Sequence, residues 1–167
     1  LFYSYWSPIM LVLIVGYINS FNFMDGINGH VGSYSLAVYA PFLLISGLDI
    51  ESNYIIWAVL IFLLVFLFFN FRTKSLAWLG DTGSIALGYL SLHVFFNEFK
   101  NYQLYLFLVF ALIFLIDSGF TMAKRQLKGE DVFKRHQTHL YQLITLTGNI
   151  KSYLWVLAVA FIQFAIN

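Results

Sequence analysis

The sequence contains no cysteine and few charged residues. Without cysteine, the chain has no disulfide framework, no thiolate metal site and no cysteine nucleophile. Only 10% of its 167 residues are charged and the net charge is +1, which excludes the basic surface that nucleic-acid binding requires. The chain also lacks an initiator methionine and the basic segment that opens a signal peptide. We therefore expect it to begin within a longer protein.

Apolar residues dominate what is present. The chain is 60% hydrophobic and 20% aromatic, with a mean hydropathy of +0.79, far from the balance of a soluble domain. This composition predicts an all-α fold, a polytopic transmembrane helix bundle that forms one domain over residues 1–167. About six spans are expected, with the cytoplasmic loops forming the active site. The apolar segments are residues 6–22, 31–48, 54–71, 82–97, 102–123 and 150–166.

The positions of the cations predict an orientation. If the loops after spans one, three and five face one side, that side holds eight of the nine Lys and Arg residues and leaves only Lys100 opposite. Cytoplasmic loops of membrane proteins carry such an excess. The polar clusters on these loops are therefore expected to face the cytoplasm.

The first polar cluster directly follows the first apolar segment. Asn19, Asn22 and Asp25 recur at i, i+3 and i+6, which places them along one face of a helix. Gly26 and Gly29 would then let the backbone turn or approach a ligand closely. A capped helix end, closed by Asp25 or Asn28, is the structural alternative.

A second cluster, residues 80–84, opens the fourth apolar segment. It combines the Asp81 carboxylate with small hydroxyl residues at a predicted helix N-terminus, where phosphate is favoured. A carboxylate suits such a site if Mg²⁺ lies between it and the phosphates, because Mg²⁺ is held by one or two protein carboxylates plus substrate oxygens. An N-cap formed by Asp81 or Thr82 is the alternative.

The remaining polar residues lie at the inner end of span five and on the loop after it. Asp117 at this boundary needs a partner or water, and it could equally be a paired structural acid. The loop carries basic side chains suited to diphosphate, although a solvated positive-inside loop explains most of them. His136 and His139 have the spacing of a weak metal pair. We expect His30 and His93 to be structural.

Taken in order, these motifs resemble a known family. Asn-x-x-Asn-x-x-Asp-Gly-x-x-Gly from Asn19, Leu-Gly-Asp-x-Gly-Ser-x-x-x-Gly from Leu79, Asp117 with Arg125 and Gly129, and His-Leu-Tyr-Gln from His139 look like the polyprenyl-phosphate N-acetylhexosamine-1-phosphate transferases. The resemblance covers nearly the whole chain.

The resemblance implies an enzyme that transfers a sugar 1-phosphate from a UDP-N-acetylhexosamine to undecaprenyl phosphate and releases UMP. It implies a multi-pass protein of the bacterial plasma membrane, with a cytoplasmic active site and Mg²⁺, or Mn²⁺, as cofactor. Its partners would be the two substrates and the surrounding membrane lipids, with no nucleic acid. A homodimer is a further alternative. Asp81 would bind the metal, with Asp25 as a second candidate ligand. The implied catalytic residues are Asp25, Asp81 and His139, and the implied substrate-binding residues are Asn19, Asn22, Asn28, Asn70, Trp78 and Arg125.

Three departures from the family pattern matter. No adjacent aspartate pair occurs here, and about half of the family's spans are absent, so we expect these 167 residues to be the C-terminal part of a larger transferase and inactive alone. Asn28 stands where the family often has aspartate. Tyr141 and Gln142 replace consecutive histidines, which favours the branch that initiates O-antigen synthesis.

Two alternatives to that branch stay open. The phospho-N-acetylmuramoyl-pentapeptide transferases of peptidoglycan synthesis perform the same chemistry. A transporter subunit, from another functional class, would place ionisable groups near the bilayer midplane, on broken helices.

Overall fold

The computed structural model describes residues 7–51, 53–98, 104–131, 138–148 and 151–166. These residues form helices and contain no strand, so the all-α prediction is confirmed. The helices are α1 (Ser7–Met24), α2 (His30–Ser46), α3 (Tyr54–Asn70), α4 (Gly80–Glu98), α5 (Leu104–Leu127), α6 (Leu140–Leu146) and α7 (Ser152–Ile166).

Six of these helices coincide with the six predicted apolar segments to within a few residues. The exception is α6, a seven-residue helix inside the stretch that the sequence predicts to be a polar loop. Over the described ranges, no helix combines the length and apolar character needed to cross a membrane. His136 and Lys100 lie outside the described residues.

Two helices organise the packing. α2 lies against α3, α4 and α7, while α1 lies against α4 and α5. Aromatic side chains fill the region where these groups meet. Phe21 of α1 contacts Tyr34 of α2 and Phe114 of α5 edge to face, with ring centroids 5.7 Å and 5.3 Å apart. Such pairs contribute about 0.5–1.5 kcal/mol beyond the area that they bury.

Buried hydroxyl groups connect the helices around this core. Tyr17 Oη of α1 lies 3.0 Å from Ser91 Oγ of α4, and Tyr39 Oη of α2 donates to the Leu87 carbonyl at 2.9 Å. An unpaired buried hydroxyl would destabilise the fold, so these bonds fix how α1 and α2 sit on α4. The start of α4 is thereby held beside the end of α1.

Close packing of α1 on α4 depends on Gly88. A Cβ at this position would lie 3.2 Å from both the Cα and the carbonyl oxygen of Ile18, and backbone atoms cannot move aside as a flexible side chain can. We expect Gly88→Val to destabilise the protein by about 1–3 kcal/mol, because overpacking forces the two helices apart. The measurement is thermal unfolding of the purified full-length gene product in detergent.

Gly119→Val is the matched control for this substitution. A Cβ at Gly119 on α5 meets no atom within 4 Å, so this variant should unfold close to the parent temperature. Equal destabilisation of the two variants would contradict the packing argument.

Candidate functional site

An open cleft of about 1610 Å³ lies where the end of α1, the start of α4, the middle of α5 and the start of α6 come together. Its volume exceeds the usual range for small-molecule sites, roughly 300–1,000 Å³. One end is apolar, and the other end collects the polar residues. Six of the nine predicted site residues line it: Asn19, Asn22, Asp25, Trp78, Asp81 and His139.

Two carboxylates meet at the polar end of the cleft. Asp25 follows the last residue of α1, and Asp81 lies in the exposed first turn of α4. Burial, together with the negative charge of Asp81, raises the pKa of Asp25 to about 6, although a backbone hydrogen bond from Gly80 opposes the rise. Like charges that share a site disfavour ionisation in this way. The pair therefore favours a cation between the two carboxylates.

The expectation that Asp25 caps α2 is wrong, and its carboxylate contacts another helix instead. Its carboxylate accepts a hydrogen bond from the backbone of Gly80, the first residue of α4, whereas α2 has no side-chain cap. Asp25 therefore supports the helix end that carries Asp81. Asp25 thus makes a structural contact with α4 and also lines the cleft.

Asn19 and Asn22 lie along the same wall as Asp25, as the helical spacing predicts. Asn19 Nδ2 donates to the Val15 carbonyl of its own helix at 2.9 Å. Asn22 Oδ1 accepts from Ser84 Oγ of α4 at 3.4 Å. The amide of Asn22 thus links the two polar clusters that the sequence separates by more than fifty residues.

His139, which lines the cleft, forms a buried pair with Asp117. Nδ1 of His139 lies 3.3 Å from Oδ1 of Asp117, and both side chains are almost fully buried. The same carboxylate accepts the backbone N–H groups of Leu140 and Tyr141 at 3.0 Å and 3.1 Å. Asp117 is therefore the paired acid that the sequence left as one alternative, and its partner is the start of α6.

Tyr141 was not predicted as a site residue, yet it joins α6 to the first polar cluster. Its hydroxyl donates to the Phe23 carbonyl at 3.1 Å, and burial raises the pKa of this hydroxyl well above its usual range. A Cβ at Gly26 would collide with Tyr141 Oη, so Gly26 makes room for this side chain. Gly26 was the one sign of this contact in the sequence, but only the fold shows that Tyr141 packs against it.

Three predicted residues do not line the cleft. Asn70 is buried; its Oδ1 accepts the Gly29 N–H at 2.6 Å, and its Nδ2 donates to the Ala77 carbonyl at 2.7 Å. Asn28 Nδ2 donates to the Arg72 carbonyl at 2.7 Å. These bonds join the loop before α2 to the end of α3 and the loop before α4. Both amides therefore hold the two loops together.

Arg125 is also buried away from the cleft. Its Nε donates to Glu130 Oε2 at 3.0 Å, and its guanidinium also donates to the Asp131 carbonyl at 2.6 Å. These bonds fold the chain back on the end of α5. A contact with substrate would require this arrangement to open.

His30 and His93 make contacts within the protein outside the acidic part of the cleft. His30 is buried, its Nδ1 lies 3.1 Å from the Met24 carbonyl oxygen, and its ring packs on Tyr141. His93 is exposed on α4 and pairs with Asn97 at 3.0 Å.

The donor set of the cleft is compatible with a hard divalent cation. The described part of the chain contains no group of three or more His, Cys, Asp or Glu residues arranged to hold a metal. Mg²⁺ does not require such a cage, because one or two carboxylates suffice when substrate phosphates and water complete its shell. Asp25 and Asp81 are two such oxygen donors, and the burial of Asp25 beside the charge of Asp81 fits a cation there.

The chain is similar in sequence to known transferases. The family model for glycosyl transferase family 4 matches residues 1–97, a range that contains Asp25 and Asp81. A phospho-N-acetylmuramoyl-pentapeptide-transferase from Fervidobacterium nodosum is 30% identical over 167 residues, covering 94% of this chain and 53% of that relative. A probable undecaprenyl-phosphate N-acetylglucosaminyl 1-phosphate transferase from Bacillus subtilis is 26% identical over 151 residues, covering 84% of this chain and 41% of that relative.

The chain thus spans about half the length of the curated relatives that it matches. No solved structure shows a significant match. The family model nevertheless covers more than half of the chain, including both acidic motifs. The chain belongs to glycosyl transferase family 4.

Proposed function

We propose that this chain forms the nucleotide-sugar side of a transferase that moves an N-acetylhexosamine 1-phosphate from a UDP-sugar to undecaprenyl phosphate. In this reaction an oxygen of the lipid phosphate attacks the β-phosphorus of the UDP-sugar. The bond between that phosphorus and the bridging oxygen breaks, and UMP leaves with the bridging oxygen. The observation that carries the proposal is the meeting of Asp25, Asp81 and His139 in one cleft.

The cleft has the groups that phosphoryl transfer needs. Such reactions depend on alignment and charge neutralisation more than on covalent help from the protein. Asp81 and Asp25 would hold Mg²⁺, which supplies positive charge to the diphosphate when bound. Asn22 keeps the two acidic motifs together through Ser84. His139, which lines the same cleft, would hydrogen-bond to a phosphate oxygen and orient it.

We also propose that the protein resides in the bacterial plasma membrane with this cleft at the cytoplasmic face. The outer face of α3 supports this, because its large apolar side chains are more than half exposed to solvent. An apolar face of this size on a soluble protein would promote aggregation. The exposed residues on this face include Ile61, Leu64, Val65 and Phe68.

The two branches of the family use different UDP-sugar donors, which differ in the sugar and in whether a peptide is attached to it. His-Leu-Tyr-Gln at residues 139–142 favours the O-antigen-initiating branch, whereas the relative from Fervidobacterium nodosum bears a peptidoglycan name. The test incubates the full-length gene product with undecaprenyl phosphate, Mg²⁺ and either UDP-GlcNAc or UDP-MurNAc-pentapeptide, and measures UMP release. UMP from UDP-GlcNAc supports the proposed branch; turnover of the peptide donor alone selects the other. Absence of UMP with both donors would overturn the proposed function.

The roles of Trp78 and Asn70 can be separated by matched alanine substitutions. Trp78 is 74% exposed at the cleft edge, so Trp78→Ala should leave thermal stability unchanged while raising the KM for the UDP-sugar about tenfold, through lost base stacking. Asn70→Ala should instead lower stability by about 1–3 kcal/mol, because it strands the buried Gly29 N–H. If Asn70→Ala raised the KM for the UDP-sugar without lowering stability, Asn70 would bind substrate and its structural role would be wrong.

A further inference from the structure

The hydroxyl of Tyr141 joins α6 to the turn that contains Asp25. Tyr141 Oη donates to the Phe23 carbonyl at 3.1 Å, and the backbone N–H of Gly26 donates to the same oxygen. These two backbone groups lie on either side of Asp25 in the chain. One buried hydroxyl therefore spans the turn that carries this carboxylate.

The end of α1 is held by side chains from outside the helix. The last carbonyl groups of a helix have no partner within it, and α1 ends at Met24. Tyr141 satisfies the Phe23 carbonyl, and His30 Nδ1 lies 3.1 Å from the Met24 carbonyl oxygen. The rings of His30 and Tyr141 pack on each other with centroids 4.8 Å apart. Both carbonyls that precede Asp25 are thereby fixed by two packed side chains.

Gln142 connects the Tyr141 hydroxyl to His139. Its side-chain amide donates to Tyr141 Oη, and its Oε1 accepts the backbone N–H of His139 at 3.3 Å. The His139 side chain accepts the backbone N–H of Gln142 in return, which completes a capping box at the start of α6. The hydrogen bonds therefore link His139 through Gln142 and Tyr141 to the turn that contains Asp25.

We propose that Tyr141, held by Gln142, is a positioning residue that fixes Asp25 relative to His139 in the cleft. Asp25 and His139 both line this cleft. Gly26, directly after Asp25, gives the backbone there extra conformational freedom, and an anchor from α6 restricts it. The effect on phosphoryl transfer rests on the proposed function, whereas the anchoring of the turn does not.

The first test measures the anchoring of the turn by amide hydrogen exchange in the full-length gene product in detergent. Tyr141→Phe keeps the packed ring and removes only the hydroxyl. Exchange in peptides that contain Gly26 should become about 2- to 10-fold faster, as expected for the loss of one hydrogen bond. Tyr89→Phe is the matched control, because it removes an exposed hydroxyl on α4, and it should exchange like the parent. Parent exchange at Gly26 in Tyr141→Phe would overturn the proposal.

The second test separates a positioning role from a purely structural one by the kinetics of UMP release. Tyr141→Phe should lower kcat about 10- to 100-fold and leave the KM for the UDP-sugar little changed, because misplacement of Asp25 acts on the transition state. A hydroxyl that only stabilised the fold would lower the unfolding temperature and leave the kcat of the folded enzyme unchanged. A parent kcat in Tyr141→Phe would therefore overturn the positioning role.

Gln142→Met tests whether the amide acts through the hydroxyl. Loss of the cap at His139 is common to both backgrounds, so a double-mutant cycle with Tyr141→Phe isolates the bond between Gln142 and Tyr141. The double variant should lose little more kcat than Tyr141→Phe alone, and fully multiplicative losses would overturn the part assigned to Gln142. Gln142 is only half-buried, so this variant also decides the matter if Tyr141→Phe does not fold. Parent exchange at Gly26 together with parent kcat in Gln142→Met would then overturn the proposal.

Two outcomes distinguish this proposal from the proposed function. An active parent protein whose kcat and amide exchange are unchanged by Tyr141→Phe would overturn the positioning role alone. A parent protein that releases no UMP from either donor would overturn the proposed function, while the exchange data would still decide whether Tyr141 holds the turn.

Discussion

Replacing Asp81 with Asn is expected to lower the rate of UMP release by about 10²- to 10³-fold or more, without unfolding the protein. Removing one electrostatic partner of a developing phosphoryl charge has an effect of this size in other enzymes. Asp81 lies exposed in the first turn of α4, so an isosteric amide leaves the packing of the bundle unchanged. The amide oxygen is a weaker ligand for Mg²⁺ than the carboxylate that it replaces.

The measurement is the initial rate of UMP release across a Mg²⁺ titration, with thermal unfolding recorded on the same samples. Glu51→Gln is the matched control, because it removes an exposed carboxylate in the loop between α2 and α3, outside the cleft. This control should keep the parent rate. Full activity in Asp81→Asn, or turnover that does not depend on a divalent cation, would contradict the proposed metal role.

The helices could be predicted because their apolar segments are long and uninterrupted. α6 could not, because it is only seven residues long and its start is fixed by Asp117, a residue more than twenty positions earlier. Short helices gain little from local propensity and depend on tertiary contacts. Hydropathy along the chain carries no information about such a contact.

The residues of the candidate site also differ in how well the sequence predicts their positions. The i, i+3 spacing correctly placed Asn19 and Asn22 on one wall, since helix periodicity decides that relation. Asp25, just past the end of α1, lines the same cleft. Amides are harder to assign, because the same side chain can satisfy a buried backbone group or face a ligand. Asn70 satisfies the buried backbone N–H of Gly29. Only the fold distinguishes this structural use from a contact with a ligand.

Removing the charge at Asp25 is expected to stabilise the protein at neutral pH while reducing its activity. The folded state raises the pKa of this carboxyl from 3.8 to about 6, so folding favours the protonated form. Stability is therefore highest below pH 4 with respect to this group, and it falls as the pH rises through 6. Asp25→Asn abolishes that fall and keeps an oxygen that can accept the Gly80 N–H. Because the side chain is only partly buried and solvent screens its charge, the gain at pH 8 is about 1–2 kcal/mol.

The gain would appear as an increase in the unfolding temperature of roughly 2–8 °C at pH 8, which disappears at pH 4. Mg²⁺ should narrow the difference at pH 8, because a cation between Asp25 and Asp81 stabilises the parent and has less to bind in the variant. Glu51→Gln should show neither effect. Destabilisation by Asp25→Asn at pH 8, or an equal gain at both pH values, would show that the folded protein does not raise the pKa of Asp25. A stabilised but inactive variant would identify the burial of this charge beside Asp81 as strain that the protein maintains for its reaction.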